Sequence, residues 1–461
     1  MENTSDIKKK IPSSFRDPSG FLFLNNGVLY RQINFSYKKH YDYFISSGLL
    51  DLLIKKKLII FHQEDNFEKR FSDEAYKIIQ PEPVWFISYP YEWCFGQLKD
   101  SALAMLQIQR HALEHGMTLK DATAYNMQFV RGKPTLIDTT SFEIYKEGEP
   151  WIAYRQFCQH FLLPLALMSF RDARLVQLMK IYIDGMPLDL ASSLLPLSGF
   201  LKNPWLYAHI RLHAKAQNHK ARQAGKQFFL SKKGLFLLID NLQSSVKSLK
   251  WNLKDTEWAD YYDKTNYSEN AFLSKKEIIG IFLKDVNPGQ VWDIGGNTGV
   301  FSRIASKKGI KTICFDADPV AVEKNYLETR INQEENILPL QLDFINPSPA
   351  IGWANRERNS LEERGLVDMV FALALVHHLV IAFNIPFPNI AEFLSRIGKS
   401  LIVEFVPGED SQLKRMLASS MKDFPDYNQE NFENAFKQYF LVKEARQVKD
   451  SKRIIYLMKK L

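Results

Sequence analysis

The chain has 461 residues, 46% hydrophobic and 24% charged, with 60 lysines and arginines against 52 aspartates and glutamates, a formal charge of +8. That length exceeds the roughly 100–200 residues of one domain and the balance is globular, so two folded units are expected and a disordered or fibrous chain is excluded. The positive charge lies in short scattered runs rather than one basic arm, which suits small anionic ligands and argues against nucleic acid as a partner.

In chain order, the N-terminus has no apolar core of a signal peptide, and no uncharged apolar run reaches the ~18 residues of a membrane span, so a cytoplasmic protein is expected. The first hundred residues hold strand-like runs, "GFLFL", "GVLYRQINF" and "VWFISY". "QLKDSALAMLQIQRHALEHG" has helical spacing and closes on Gly116. In "DATAYNMQFVRGKPTLID" a hairpin turning at "RGKP" brings Asn126 and Asp138 together, with Asp121 on the preceding loop. Residues from Trp151 to about Ser248 read as helical. Within them His209, His213 and His219 have no accompanying carboxylate, which predicts a solvated or anion-facing helix rather than a metal site. Cys94, Cys158 and Cys314 are far apart in apolar surroundings, so neither disulfides nor a zinc cluster is expected.

Beyond residue 250 the texture changes. Trp258, Tyr261, Tyr262 and Tyr267 precede the first strand, where aromatic faces could cover a cationic ligand. Then "QVWDIGG", "KTICFDAD", "ILPLQLDF", "DMVFALALVHHL" and "SLIVEFVP" alternate with helices, the pattern of a parallel sheet covered on both faces. "YFLVKEARQV" and "RIIYLMKK" close the chain as an antiparallel pair.

In "VWDIGGNTGVFSR" a strand runs directly into Gly295, Gly296, Asn297, Thr298 and Gly299 and then into a helix, so backbone amides can approach a ligand closely. Asp316 ends the next strand 17 residues after Gly299, where a ribose diol needs a two-oxygen acceptor. The loop lacks the third glycine of a dinucleotide fingerprint. Asp293 would repel a pyrophosphate but suits the ammonium of an amino-acid ligand.

These residues resemble the first motif of class I S-adenosylmethionine-dependent methyltransferases, with Asn297 where many members have glycine. The resemblance implies a Rossmann-like seven-stranded α/β domain that binds S-adenosylmethionine through Asp293, Gly295, Gly296, Asn297, Gly299, Asp316 as the ribose acid and Asp343 of "LDF" at the adenine. "FRDPSGFLF", "LKDATAYNMQF", "LIDTTSFE" and "VEFVPGEDSQLKRMLAS" resemble a bacterial family of long methyltransferases that includes NoeA-like nodulation proteins. His377 and His378, leaving the fourth strand, are the candidate catalytic bases for a hydroxyl acceptor, and Glu404 leaves the fifth. No Asn/Asp-Pro-Pro-aromatic sequence follows the fourth strand, which argues against methylation of DNA base amines.

Asp121, Asn126 and Asp138 resemble the D-x-x-x-x-N loop and metal-binding Asp of protein and aminoglycoside kinases. Thr139 and Thr140 replace the usual Phe-Gly, and neither a phosphate-gripping glycine loop nor a V-A-I-K-like lysine is visible. The expectation is an α+β kinase-like, catalytically silent domain at 1–248 and a methyltransferase at 249–461, with no resident metal. The acceptor expected is a small molecule, a glycan or a lipid-linked saccharide. An RNA methyltransferase and a non-catalytic S-adenosylmethionine- or nucleotide-binding module are the alternatives.

Overall fold

A computed structural model describes residues 8–196, 204–212, 229–253, 268–419 and 423–461. The chain forms two compact units: residues 1–252 joined by Ile351–Arg358, and residues 253–350 with 359–461. Among the described residues no helix is long and apolar enough to cross a membrane.

The first unit is built on an antiparallel five-stranded sheet ordered β1-β2-β3-β5-β4, where β1 is Lys8–Lys10, β2 Gly20–Asn25, β3 Val28–Asn34, β4 His62–Glu64 and β5 Ala75–Pro81. Asn26 and Gly27, both left-handed at φ 49° and 80°, close the β2–β3 hairpin, the conformation that a two-residue Asn-Gly loop supplies. Phe21, Phe23, Tyr30, Ala75 and Ile78 pack together as one core of this sheet. "VWFISY" is not a strand. The backbone N–H of Ser88 donates to Oε1 of Gln128 at 2.9 Å, and its carbonyl accepts from the same amide's Nε2 at 2.9 Å, so a side chain replaces the ladder.

Helix Phe95–Glu114 follows, and Gly116 ends it at φ +74°, where a Cβ would lie 2.5 Å from the Tyr43 hydroxyl. Strand β6 (Met117–Leu119) pairs with β9 (Phe142–Ile144). Strands β7 (Met127–Val130) and β8 (Lys133–Leu136) form the expected hairpin, with left-handed Arg131 and Gly132 at its tip. His209 corrects the reading of a solvated helix. It is buried, with Nδ1 2.5 Å from the Tyr154 hydroxyl and Nε2 2.9 Å from Oδ1 of Asn241, which makes it a packing residue. His213 and His219 lie outside the described residues.

The excursion Ile351–Arg358 belongs to this unit although its sequence neighbours do not. Glu357, 4% exposed, accepts from Nε and Nη2 of Arg16 at 2.9 and 2.7 Å. The Arg358 guanidinium lies 4.5 Å from the Tyr125 ring centroid. Nothing in the sequence signalled this arrangement.

The second unit is a seven-stranded sheet ordered β12-β11-β10-β13-β14-β16-β15. Its strands are β10 (Gln290–Ile294), β11 (Lys311–Asp316), β12 (Ile337–Gln341), β13 (Val367–Ala372), β14 (Gly398–Phe405), β15 (Phe440–Gln447) and β16 (Ile454–Lys460). The first five are parallel; β16 runs antiparallel to both β14 and β15. Helix Glu269–Val286 leads into β10 and ends on left-handed Asn287, and its Ile278, Ile279, Phe282 and Leu283 pack with Val291, Met369, Phe371 and Ile402 of the strands. The chain steps outward from β10 to β12 and then crosses back to β13. The topological switch, where open α/β sheets hold their ligands, therefore lies between the carboxyl ends of β10 and β13.

Candidate functional site

At that switch, inside the second unit, lies a cavity of about 360 Å³. Asp293, Gly295, Gly296 and Asn297 line it from β10, Asp316 and Asp318 from β11, Asp343 and Phe344 from β12, and Leu375 and His378 from β13.

The glycine loop is pinned to the neighbouring strand, because the N–H groups of Gly295 and Gly296 both donate to the Phe315 carbonyl at 2.9 and 3.0 Å. A Cβ on Gly296 would lie 2.5 Å from Cys314 Sγ and 2.9 Å from the Asp293 carboxyl carbon, so only glycine fits. Gly299 is left-handed at φ +82°, and a Cβ there would meet Asn325 and Arg303. Asn297 is left-handed too, at φ 52°, a region that asparagine tolerates better than most residues. This accounts for asparagine at a position where the resembling sequences carry glycine. Its N–H donates to Asp316 Oδ2 at 2.8 Å, and its own Oδ1 accepts from Thr298 N–H at 2.7 Å.

Two carboxylates dominate the electrostatics. Burial pushes Asp293 up to about 6, against the Ser302 hydroxyl that donates to its Oδ2 at 2.6 Å. Burial likewise pushes Asp316 up to about 6, although the N–H groups of Asp318 and Asn297 bond its two oxygens. Each oxygen of Asp316 keeps lone-pair capacity beyond its single backbone donor, as a ribose diol requires. Asp343 lies at the exposed edge, and Phe344, Leu342 and Leu379 line the cavity with it as apolar surface. The residues fit S-adenosylmethionine: a diol acceptor, an acid for an ammonium, a glycine cradle and apolar surface occur in the required order.

The histidine pair divides. His378 lines the cavity, whereas His377 does not; it is 4% exposed, and its buried Nδ1 has no hydrogen-bond partner among the described residues. Their rings lie 4.1 Å apart. Burial holds His378 down at about 4 and His377 well below its ordinary value, so both are neutral at pH 7. Trp258, Tyr261, Tyr262 and Tyr267 lie outside the described residues. Lys275, which sequence reading missed, also lines the cavity. Glu404 is fully buried and accepts from Lys275 Nζ at 2.6 Å.

In the first unit the hairpin places Asn126, Asp138 and Asp121 together, with the Ile137 N–H donating to the Asn126 carbonyl at 2.8 Å. A missed cation completes the group. Arg31 of β3 pairs with Asp138 Oδ1, which also accepts from the Thr140 hydroxyl at 2.9 Å, while Asp138 Oδ2 accepts from the Ser141 hydroxyl at 2.5 Å. Burial alone would raise the pKa of Asp138; Arg31 and these hydroxyls outweigh it, and the carboxyl sits below its ordinary value. Asp121 is raised by burial and by the Asp138 charge. Among the described residues no group of three or more His, Cys, Asp or Glu is disposed to hold a metal ion.

No family model matches the chain. It is 33% identical over 457 residues to nodulation protein NoeA of Rhizobium meliloti (strain 1021), a match covering 97% of this chain and 95% of that protein. Among solved structures it is similar to magnesium protoporphyrin IX methyltransferase (ChlM) of Synechocystis PCC 6803 with bound SAH, at 14% identity over 44% of this chain and 93% of that one, with a TM-score of 0.32. It is also similar to the bifunctional kinase-methyltransferase WbdD, at 15% identity over 45% of this chain and 43% of that one, with a TM-score of 0.29.

Proposed function

The chain belongs to the family of nodulation protein NoeA, and from that premise we propose that it is an S-adenosylmethionine-dependent methyltransferase acting on a small-molecule, glycan or lipid-linked acceptor. The observation that carries the reading is the cavity at the β10–β13 switch, walled by the buried Asp293 and the half-buried Asp316. Asp316 accepts the ribose hydroxyls, Asp293 faces the methionine ammonium, Asp343 borders the adenine, and Gly295, Gly296, Asn297 and Gly299 let the backbone close on the ligand. The bound cofactor supplies a methyl group already activated on a sulfonium. The chain therefore has to align the acceptor and exclude water.

His378, neutral and facing the cavity, takes the proton of an acceptor hydroxyl at an imidazole nitrogen. His377, packed behind it, positions the ring. The test is to incubate the protein with labelled S-adenosylmethionine and fractionated metabolites, lipids and RNA. Label in a metabolite or lipid fraction, much reduced by His378→Ala with cofactor affinity intact, supports the reading. Label in RNA alone, or cofactor retained without turnover on any fraction, sinks it.

For residues 1–248 we propose a kinase-like domain that performs no phosphoryl transfer. The five-strand order, the β7–β8 hairpin and the grouping of Asp121, Asn126 and Asp138 support the likeness. Silence is supported by Arg31, a cation already paired with Asp138, whose charge is thereby met without a metal. Magnesium-dependent ATP turnover by the full chain, abolished by Asp138→Ala, would refute it.

A further inference from the structure

The lining of the cofactor cavity has a charge asymmetry that the assignments above leave unused. Asp293, Asp316, Asp318 and Asp343 bring carboxylates to it, and His378 is neutral; Lys275 is the single cation among the described residues that line it. S-adenosylmethionine carries one carboxylate, on the same carbon as the ammonium. We infer that Lys275 binds this methionine carboxylate, so that Asp293 and Lys275 together form a receptor for the amino-acid zwitterion; the inference rests on the cofactor reading above.

Lys275 is held in place for this task. It lies within helix Glu269–Val286 and is 2% exposed, its ammonium 4.4 Å from the Phe301 ring centroid. Glu404 Oε2 takes one of its three donors at 2.6 Å. Glu404 Oε1 lies 3.4 Å from Arg453 Nη1, and Arg453 Nε donates to Asp410 Oδ2 at 2.9 Å. Lys275, Glu404, Arg453 and Asp410 thus alternate in sign and balance. A buried balanced cluster of this kind resists a ligand that adds net charge. The amino-acid end of the cofactor adds none, because its ammonium and carboxylate cancel and the sulfonium charge lies beyond them, provided that each of the two groups meets an opposite charge on the wall. Asp293 and Lys275 are placed to do so: both line the cavity, and they are close enough for the ammonium to favour the ionised form of Asp293 against burial. Glu404 then orients the lysine, and its own contact with the ligand is not required.

The test compares S-adenosylmethionine with decarboxylated S-adenosylmethionine, which keeps the adenosine, the sulfonium and the amine but lacks the carboxylate. Calorimetry on the full-length protein is expected to show wild type preferring the intact cofactor. Lys275→Met should weaken the intact cofactor about tenfold to hundredfold, the loss of one charge-assisted hydrogen bond, and affect the decarboxylated ligand, which keeps the amine that Asp293 faces, far less; Lys275→Arg should keep the preference. If Lys275→Met fails to fold because Glu404 is orphaned, the pair Lys275→Met with Glu404→Gln removes both charges and carries the same expectation. Equal weakening of both ligands, or a preference that survives the loss of Lys275, would overturn the assignment while leaving the cofactor reading intact. Binding of neither ligand to wild type would overturn both.

Discussion

Both units bury carboxylates, and they treat them in opposite ways. In the second, burial lifts Asp293 and Asp316 to about 6, and both line the cavity. In the first, Arg31, Thr140 and Ser141 surround Asp138 and drive it below its ordinary value. A buried acid that its own chain leaves under-compensated is waiting for a ligand; one that its own chain satisfies has become part of the scaffold.

The largest expected effect comes from reopening the closed site. Arg31→Met leaves a buried carboxylate without its counter-charge and should cost about 3–5 kcal/mol, read as a lower midpoint in urea unfolding, with much of the loss recovered by adding Asp138→Asn. Undiminished stability of Arg31→Met would mean that the two sites do not differ as described. Next comes Asp316→Ala, which should cost about 1.5–3 kcal/mol of cofactor binding, tenfold to hundredfold by calorimetry, with little change in unfolding midpoint. Unchanged affinity would remove the ribose assignment.

The pH response sharpens the contrast. The folded chain holds the protons of Asp293 and Asp316 more tightly than an unfolded chain with acids near 3.9. Their contribution to the stability of the ligand-free protein is therefore full below about pH 4 and is lost as pH rises through about 6. If both acids bind the cofactor as proposed, binding needs both ionised, and affinity should fall by roughly tenfold or more per pH unit below about 6, against a flat response from 7 to 8. Asp138 runs the other way: its contribution is present above the unfolded value and persists until pH falls through its own lowered one. The smallest effect is at Asn297. Alanine at φ 52° should cost about 1 kcal/mol, whereas Asn297→Gly should be nearly neutral, a difference that thermal unfolding resolves.

The parts legible in the sequence are those that repeat a local rule. The strand into Gly295, the acid at the end of the next strand and the closing pair Phe440–Gln447 and Ile454–Lys460 each carry a signal within a few residues. Arg31 and Lys275 carry none. Each is one cation within an ordinary strand or helix, and its role depends on a partner 107 or 129 positions away. Burial sorted the two histidines of "LVHHL": adjacent residues on a short helix point to different surroundings, and only packing decides which of them meets the cavity. "VWFISY" misled because the backbone of Ser88 within it bonds the Gln128 side chain, 40 positions on, instead of a neighbouring strand.

The excursion Ile351–Arg358 also sets a timetable. The rest of the first unit has been synthesised by residue 252, but its last piece begins 99 residues later, an interval of about 5–20 s at about 5–20 residues per second. Until then Arg16 has no Glu357 beside it and the Tyr125 ring has no Arg358 over its face. The nascent first unit must wait, nearly complete, for a fragment encoded inside the second, and a slowly translated message would lengthen the period in which that bare surface is open to proteases and chaperones.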